Sequence, residues 1–456
     1  MRAEAPAHGA TERLAQFCAN LKYADLDEAA RYAVRRHLLD TMGAAIAGSR
    51  SAPALIAAQV LAKQEAGGQM VVPGFEGRWS RLSAAYLMGA SAHGLELDDG
   101  YRAGSVHPGA PVIPAALAAA WDGNVDGKRL AAAIAAGYEV VTRVAQTVHP
   151  ASRKRGFHNS SITGGLGAAV ASASVLGLDA GRTAHALGIA ASSAAGLFAF
   201  LHGGGEIKRL HPGFAAREGL FAALLARSGM TGPEGALEIE DGFLQAYGGG
   251  ADAGILLAGL GDGLNITRCY IKPYACCRHI HPALDAVIAV AREENVNAQD
   301  IAGIEIGTYA IAAGHARGGW IDMPAAQMNY RFCAALAATD GIVGIAEFDA
   351  QHLEDPVLAD LAERVRVTVD PACEAEYPRL RSANVVVLTK DGKRHHRYID
   401  EPLGSARHPL GDDALIEKFQ SLAGPVIGNA QANQMCAVIW ALDEIDKAEV
   451  LLQASA

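Results

Sequence analysis

The chain has 456 residues, 50% of them hydrophobic and only 19% charged, which is enough to fill a large core and too long for a single small one. Lys and Arg number 39 against 49 Asp and Glu, a formal net charge of −10, which excludes general binding to nucleic acid or an anionic membrane, because both need clustered positive charge. The 7 cysteines follow no disulfide-framework spacing, and Met1 to Leu26 holds no continuous apolar run of the secretory kind, so the expected setting is the cytoplasm.

Up to about residue 260 the hydrophobic period is helical. Asp25-Leu26-Asp27-Glu28 reads as a capping box before a helix over 29–47. Further helices are expected at 82–93, 113–121, 130–148, 163–178, 180–195 and 214–227. Thr183 to Gly205 carries no Asp, Glu, Lys or Arg and is long enough for a bilayer, but it contains His185, His202 and three consecutive glycines. It reads as a small-residue helix inside a helical domain. Gly164-Gly165-Leu166-Gly167 lacks the spacing and the preceding strand of a dinucleotide site. Near residue 265 the pattern changes. Alternation at 304–309 and 365–369 predicts strands, and 384–389 with 394–399 predicts a hairpin turning at Asp391-Gly392. Helices at 284–292 and 330–338 interleave, and 415–422 and 435–451 are helical again. The expected fold is mainly α with a smaller α+β domain: 1–265 completed by 406–456, and 266–405.

Histidine carries most of the chemical signal. Five of the 16 precede proline: His107, His149, His211, His281 and His408. Proline suits a first helical turn, so His281 and His211 are expected at helix N-termini, where free N–H groups attract carboxylates and keep an imidazole neutral. Lys208-Arg209-Leu210-His211, and the run from Lys272 through Cys276-Cys277-Arg278 to His281, gather cations suited to a small polyanion. Glu96, Asp98 and Asp99 precede His107 and are expected to orient it or to bind substrate. Cys276, Cys277, His279 and His281 lack a second ligand pair at zinc-site spacing, so no metal is expected.

These segments together resemble the MmgE/PrpD family. The stretches that carry the resemblance are Leu95 to Asp99 with His107-Pro108-Gly109-Ala110-Pro111-Val112, Gly137-Tyr138-Glu139-Val140, Gly156-Phe157-His158, Lys208 to Gly213, Thr231-Gly232-Pro233 and Lys272 to His281, in family order. The resemblance implies a helical domain built from both chain ends, an inserted α+β lid, a homodimer, and a site between the domains without metal or organic cofactor. By position it implies active-site roles for His107, His158, Lys208 and His281, and for Lys272 by likeness to the epimerase branch. Glu96 and Gly100 depart from the Asp and Thr of the decarboxylase pattern. The implied activity is a lyase, dehydratase or decarboxylase, acting on a di- or tricarboxylate through a carbanion beside a carboxylate. An isomerase of the iminodisuccinate epimerase kind is the alternative. In either case Lys208 and Lys272 would clamp carboxylates, His158 or His281 would serve as base, His107 as acid, and Glu96, Asp98, Asp99, His211 and Arg278 would contact substrate.

Overall fold

The computed structural model describes residues 9–65, 67–121, 123–200 and 205–453. The start of the N-terminal segment, and His202 with glycines 203 and 204, lie outside them. The protein is mainly helical with a smaller α+β part, and it divides into two compact units, residues 1–270 with 412–456 and residues 271–411.

In the first unit short polar side chains set the helix starts. Asp27 accepts from the Ala30 amide at 2.8 Å and opens Glu28–Gly48 by itself, so the four-residue capping box reduces to one residue. Asp126 and Asp179 do the same for Gly127–Val148 and Ala180–Ser192, and Ser80 for Arg81–Ala92. Three expectations fail. The helix expected over 435–451 ends at Trp440, followed by a short turn at Leu442–Glu444 and a separate helix at Val450–Gln453. The 180–195 helix stops at Ser192, and 193–200 leaves the helical path with Gly196 at φ +136°, so the small-residue stretch is not one helix. His211-Pro212 does not start a helix either: Ile207–Arg227 begins earlier and carries Pro212 inside it. Its first turn is anchored by side chains instead, Lys208 on Glu96 and His211 on His158.

Ile207–Arg227 packs against Gly164–Leu176 and Arg81–Ala92, and Gly164–Leu176 also packs against Gly127–Val148 and Gly109–Ala120. These crossings are close because glycines face each other. A Cβ on Gly167 would sit 2.7 Å from the Gly137 carbonyl oxygen, and one on Gly213 would sit 2.6 Å from that of Tyr86. The glycine-rich segment at 164–167 is thus a helix contact. No single helix among the described residues is long and apolar enough to cross a membrane; the pair Glu28–Gly48 and Ala52–Gln64 reaches that length only together and bends by 79° at the break.

The second unit holds a four-stranded sheet of β1 (Ile301–Thr308), β2 (Val365–Val369), β3 (Ala383–Thr389) and β4 (Arg394–Ile399) in the order β2-β1-β3-β4. β1 and β2 are parallel and the other pairs antiparallel. Strict alternation of burial along β3 turns Val385 and Val387 toward the helix His281–Glu293, which lies on β3 and β4. The β3–β4 hairpin turns at Asp391-Gly392, with Gly392 at φ +87°. In β2 burial fades from Val365 to the exposed Val369, as an edge strand allows.

The Gly137–Gly167 crossing gives a stability test. A Val at 137 would place its Cβ 2.6 Å from Val112 Cγ1 and 2.9 Å from the Gly167 carbonyl. Gly137→Val is expected to lower unfolding free energy by about 1–3 kcal/mol or more in urea titration, as overpacked cores do.

Candidate active site

The helix Arg81–Ala92 ends at His93, and the loop that follows carries Glu96, Asp98 and Asp99 inward. Glu96 adopts a left-handed backbone, φ +57°, uncommon for a side chain with a Cβ. It forms an ion pair with Lys208 Nζ. Asp98 is fully buried; its Oδ2 lies 2.6 Å from His93 Nδ1 and 3.3 Å from His107 Nδ1. Asp99 is fully buried too but faces the scaffold. Its carboxylate accepts the Gly109 amide at 2.9 Å and the Tyr138 hydroxyl at 2.7 Å, and lies 2.9 Å from His37 Nδ1. Burial first and the Asp99 charge second push the Tyr138 phenol well above its ordinary range, so it stays a donor.

His107 precedes Pro108, which caps the Gly109–Ala120 helix. Its Nδ1 is 2.6 Å from the Asp99 carbonyl oxygen. A carbonyl only accepts, so Nδ1 carries a proton, and in the neutral ring Nε2 is the acceptor nitrogen. The His107 amide donates to Ser160 Oγ at 3.0 Å, and Asn159 Nδ2 donates to the Gly104 carbonyl at 2.6 Å. These bonds stitch the His107 loop to the short helix that His158 caps.

His158 Nδ1 and His211 Nδ1 lie 2.9 Å apart. One must donate and the other accept; a second proton would set two N–H groups head to head. His158 is held well below the usual imidazole range, by burial first and then by His93 and His211. His211 is brought down to about 4 by burial, His93 and Lys208. The His93 ring stands 5.0 Å from that of His107 and 5.8 Å from that of His158, and Phe198 and Phe200 flank His158.

In the second unit Lys272, Arg278 and His281 are all buried. His281 opens its helix, as its proline requires. Its Nε2 is 3.3 Å from the Cys276 carbonyl and its Nδ1 is 2.8 Å from the Arg278 guanidinium, so both ring nitrogens are engaged. Arg278 also donates to the carbonyls of Pro402 and Leu403, and Asp285 joins Tyr274 to the Leu403 amide. His279, 2.6 Å from the Tyr309 hydroxyl and stacked on His315, is held well below its ordinary range by burial, Arg381, His315 and Lys272.

A family model for the MmgE/PrpD N-terminal domain matches residues 12–256, and one for the C-terminal domain matches 274–444. The chain belongs to the MmgE/PrpD family. Among its relatives, a cis-aconitate decarboxylase of Aspergillus terreus is 27% identical over 470 residues, covering 98% of this chain and 95% of that protein. A cis-aconitate decarboxylase-like protein, oryM, of Aspergillus oryzae is 28% identical, covering 98% and 97%. The human cis-aconitate decarboxylase is 26% identical, covering 97% and 93%.

In this MmgE/PrpD chain the first unit brings together Glu96, Asp98, His107, His158, Lys208 and His211. In the second unit Arg278 and His281 are in contact, and Lys272 is buried there too. The sequence reading missed His93, Tyr138 and Ser160 as parts of the site. His93 ends a helix with no proline after it; its one signal is a spacing of five residues to Asp98. One ligand atom from each of His93, Asp98 and His107 lies within 4.8 Å of the others, and His93 Nδ1 is 2.6 Å from Asp98 Oδ2. The 2.6 Å between the first two is a hydrogen-bond length, shorter than the ~3.3 Å edge of a tetrahedral zinc site, so the set reads as hydrogen-bonded partners.

The histidine pair predicts an acid limb of stability. The folded state binds no proton at His158 or His211 until well below the ordinary imidazole value near 6.5, whereas the unfolded chain does. Stability is therefore expected to fall from about pH 6.5 down to about pH 4. His211→Gln should flatten that slope in urea unfolding followed across this range.

Proposed function

We propose that this protein is a lyase, a decarboxylase or dehydratase, that acts on a small di- or tricarboxylate through a carbanion or enolate beside a carboxylate. The observation that carries the proposal is His107. Its Nδ1–H is fixed on the Asp99 carbonyl, which makes Nε2 the basic nitrogen of the neutral ring, and the Asp98 carboxylate stands 3.3 Å behind. The cis-aconitate decarboxylase relatives support the reaction class.

An α-proton beside a carboxylate is very weakly acidic, so the developing charge needs cations close by. In this proposal a substrate carboxylate displaces Glu96 from Lys208, whose ammonium then meets that charge; one such preorganised donor is worth roughly 3–4 kcal/mol. For dehydration, His107 Nε2 takes the proton, the electron pair stays on carbon, and the leaving hydroxyl, hydrogen-bonded by the neutral His158–His211 pair, receives that proton back from the His107 imidazolium and departs as water. For decarboxylation, the C–C electron pair stays on carbon as CO2 leaves, and protonated His107 delivers the proton that ends the reaction. Sequence reasoning gave His107 the acid role and His158 or His281 the base role. The carboxylate behind His107 stabilises the imidazolium it becomes, whereas the lowered proton affinity of His158 makes it the weaker base and both nitrogens of His281 are engaged. No step calls on a metal or an organic cofactor. A cytoplasmic homodimer with a small-molecule carboxylate as its ligand, and no nucleic-acid or membrane partner, completes the proposal.

Incubation with polycarboxylates and amino-dicarboxylates in D2O, followed by proton NMR, tests the reaction class. A lyase releases CO2 or water. An epimerase takes up deuterium at the α-carbon without losing either, and a carboxylate-binding protein does neither; both outcomes would sink the lyase reading. With a substrate in hand, His107→Gln and His158→Gln should each lower kcat by about 10²–10⁴-fold. Lys208→Ala should lower it by about 10²–10³-fold. Full turnover in folded variants refutes the roles assigned here. Lys272→Ala and His281→Gln report on whether these residues of the second unit take part. Activity is expected to survive a chelator, and its loss would establish a metal requirement.

A further inference from the structure

The reading of His107 as proton acceptor leaves one buried imidazole without a task. His93 is fully buried, and its Nδ1 lies 2.6 Å from Asp98 Oδ2, the same oxygen that stands 3.3 Å from His107 Nδ1. Its other nitrogen, Nε2, is buried with no hydrogen-bond partner among the described residues. A scaffold histidine would be expected to satisfy both nitrogens, as His281 does in the second unit.

We propose that His93 is a positioning residue that sets the charge of the site: it and His107 share the single carboxylate of Asp98, so that whichever imidazole is cationic claims that carboxylate. With His93 cationic, the Asp98 charge is compensated, and His107 stays uncharged. With His93 neutral, Asp98 is released to stabilise the His107 imidazolium. The proton that makes either ring cationic comes from solvent or substrate and binds at Nε2, since both Nδ1 atoms already carry hydrogen-bonded protons. The two rings then titrate as a pair, each protonation opposing the other.

The surrounding charges do not replace this coupling. His158 faces His93 across 5.8 Å between ring centres, and His211 is bonded to His158. Lys208 acts on both of these and is paired with Glu96. Asp99 gives His107 only its backbone oxygen, because its carboxylate is turned to Gly109, Tyr138 and His37. Asp98 is therefore the carboxylate, among the described residues, that both His93 and His107 face.

The inference rests on the role given to His107 above, but its test needs no substrate. Imidazole nitrogens are followed by ¹⁵N NMR from pH 4 to 9 in the full-length protein and in His93→Asn. The asparagine keeps an N–H toward Asp98 and removes the charge. Loss of a neighbouring cation leaves His107 facing an uncompensated carboxylate, so its midpoint should rise by about one pH unit, a tenfold gain in proton affinity. By linkage, His107→Gln should raise the His93 midpoint in the same way, which keeps the test decisive if the first variant misfolds. In turnover, the acid limb of kcat/KM should move to higher pH in His93→Asn. A merely structural His93 predicts that asparagine restores the parent pH profile and that neither midpoint moves, and that result overturns the proposal. A protein inactive on every acid tried, with the two midpoints still coupled, would refute the lyase reading and leave the His93–Asp98–His107 arrangement standing.

Discussion

Two adjacent buried carboxylates that face opposite ways hold the first unit and its site together. Asp99 turns into the scaffold, where it binds the start of the Gly109–Ala120 helix and the Tyr138 hydroxyl beside His37. Asp98 turns the other way, to His93 and His107. A buried carboxylate is costly unless it is bonded, so each must find its partners, and together they fix the loop from 94 to 107 between helices. The backbone oxygen of Asp99 then sets the His107 tautomer. One dipeptide couples the packing of three helices to the proton chemistry of an imidazole.

The small residues give this arrangement its room. Glycine meeting glycine, as at 137 and 167, brings helix axes close and lets Ala-rich faces interlock. Histidines from 93, 107, 158 and 211 then converge in one unit although 118 residues of chain separate the first from the last. Crowding has an electrostatic consequence. Four imidazoles and Lys208 in a desolvated space cannot all be charged, so His158 and His211 are pressed neutral while Asp98 and Glu96 pair with the groups that can carry charge. The space thus holds two neutral imidazoles beside a lysine ammonium paired with a carboxylate.

Much of the architecture was legible before any coordinates. The helical period, the aspartates that start helices, and the Asp-Gly hairpin are local signals, and local signals survive folding. His281-Pro282 opened a helix as proline chemistry demands, whereas His211-Pro212 did not. The difference lies in tertiary anchors: Lys208 on Glu96 and His211 on His158 hold five residues ahead of Pro212 in helical form. The small-residue stretch broke at Ser192 for a related reason, because composition sets hydropathy but not where a chain turns.

The residue types of the candidate site and their family order were written in the sequence, since a motif names its imidazoles, ammonium groups and carboxylates whatever their arrangement. The roles of those residues were not. Which nitrogen of His107 is bonded to the Asp99 carbonyl, which aspartate faces the scaffold, and that His93 shares a carboxylate with His107 all depend on distances of 2.6–3.3 Å between groups from different elements. A one-dimensional pattern states which groups are present; the direction of a hydrogen bond, and with it the place of a proton, exists only once the chain has packed.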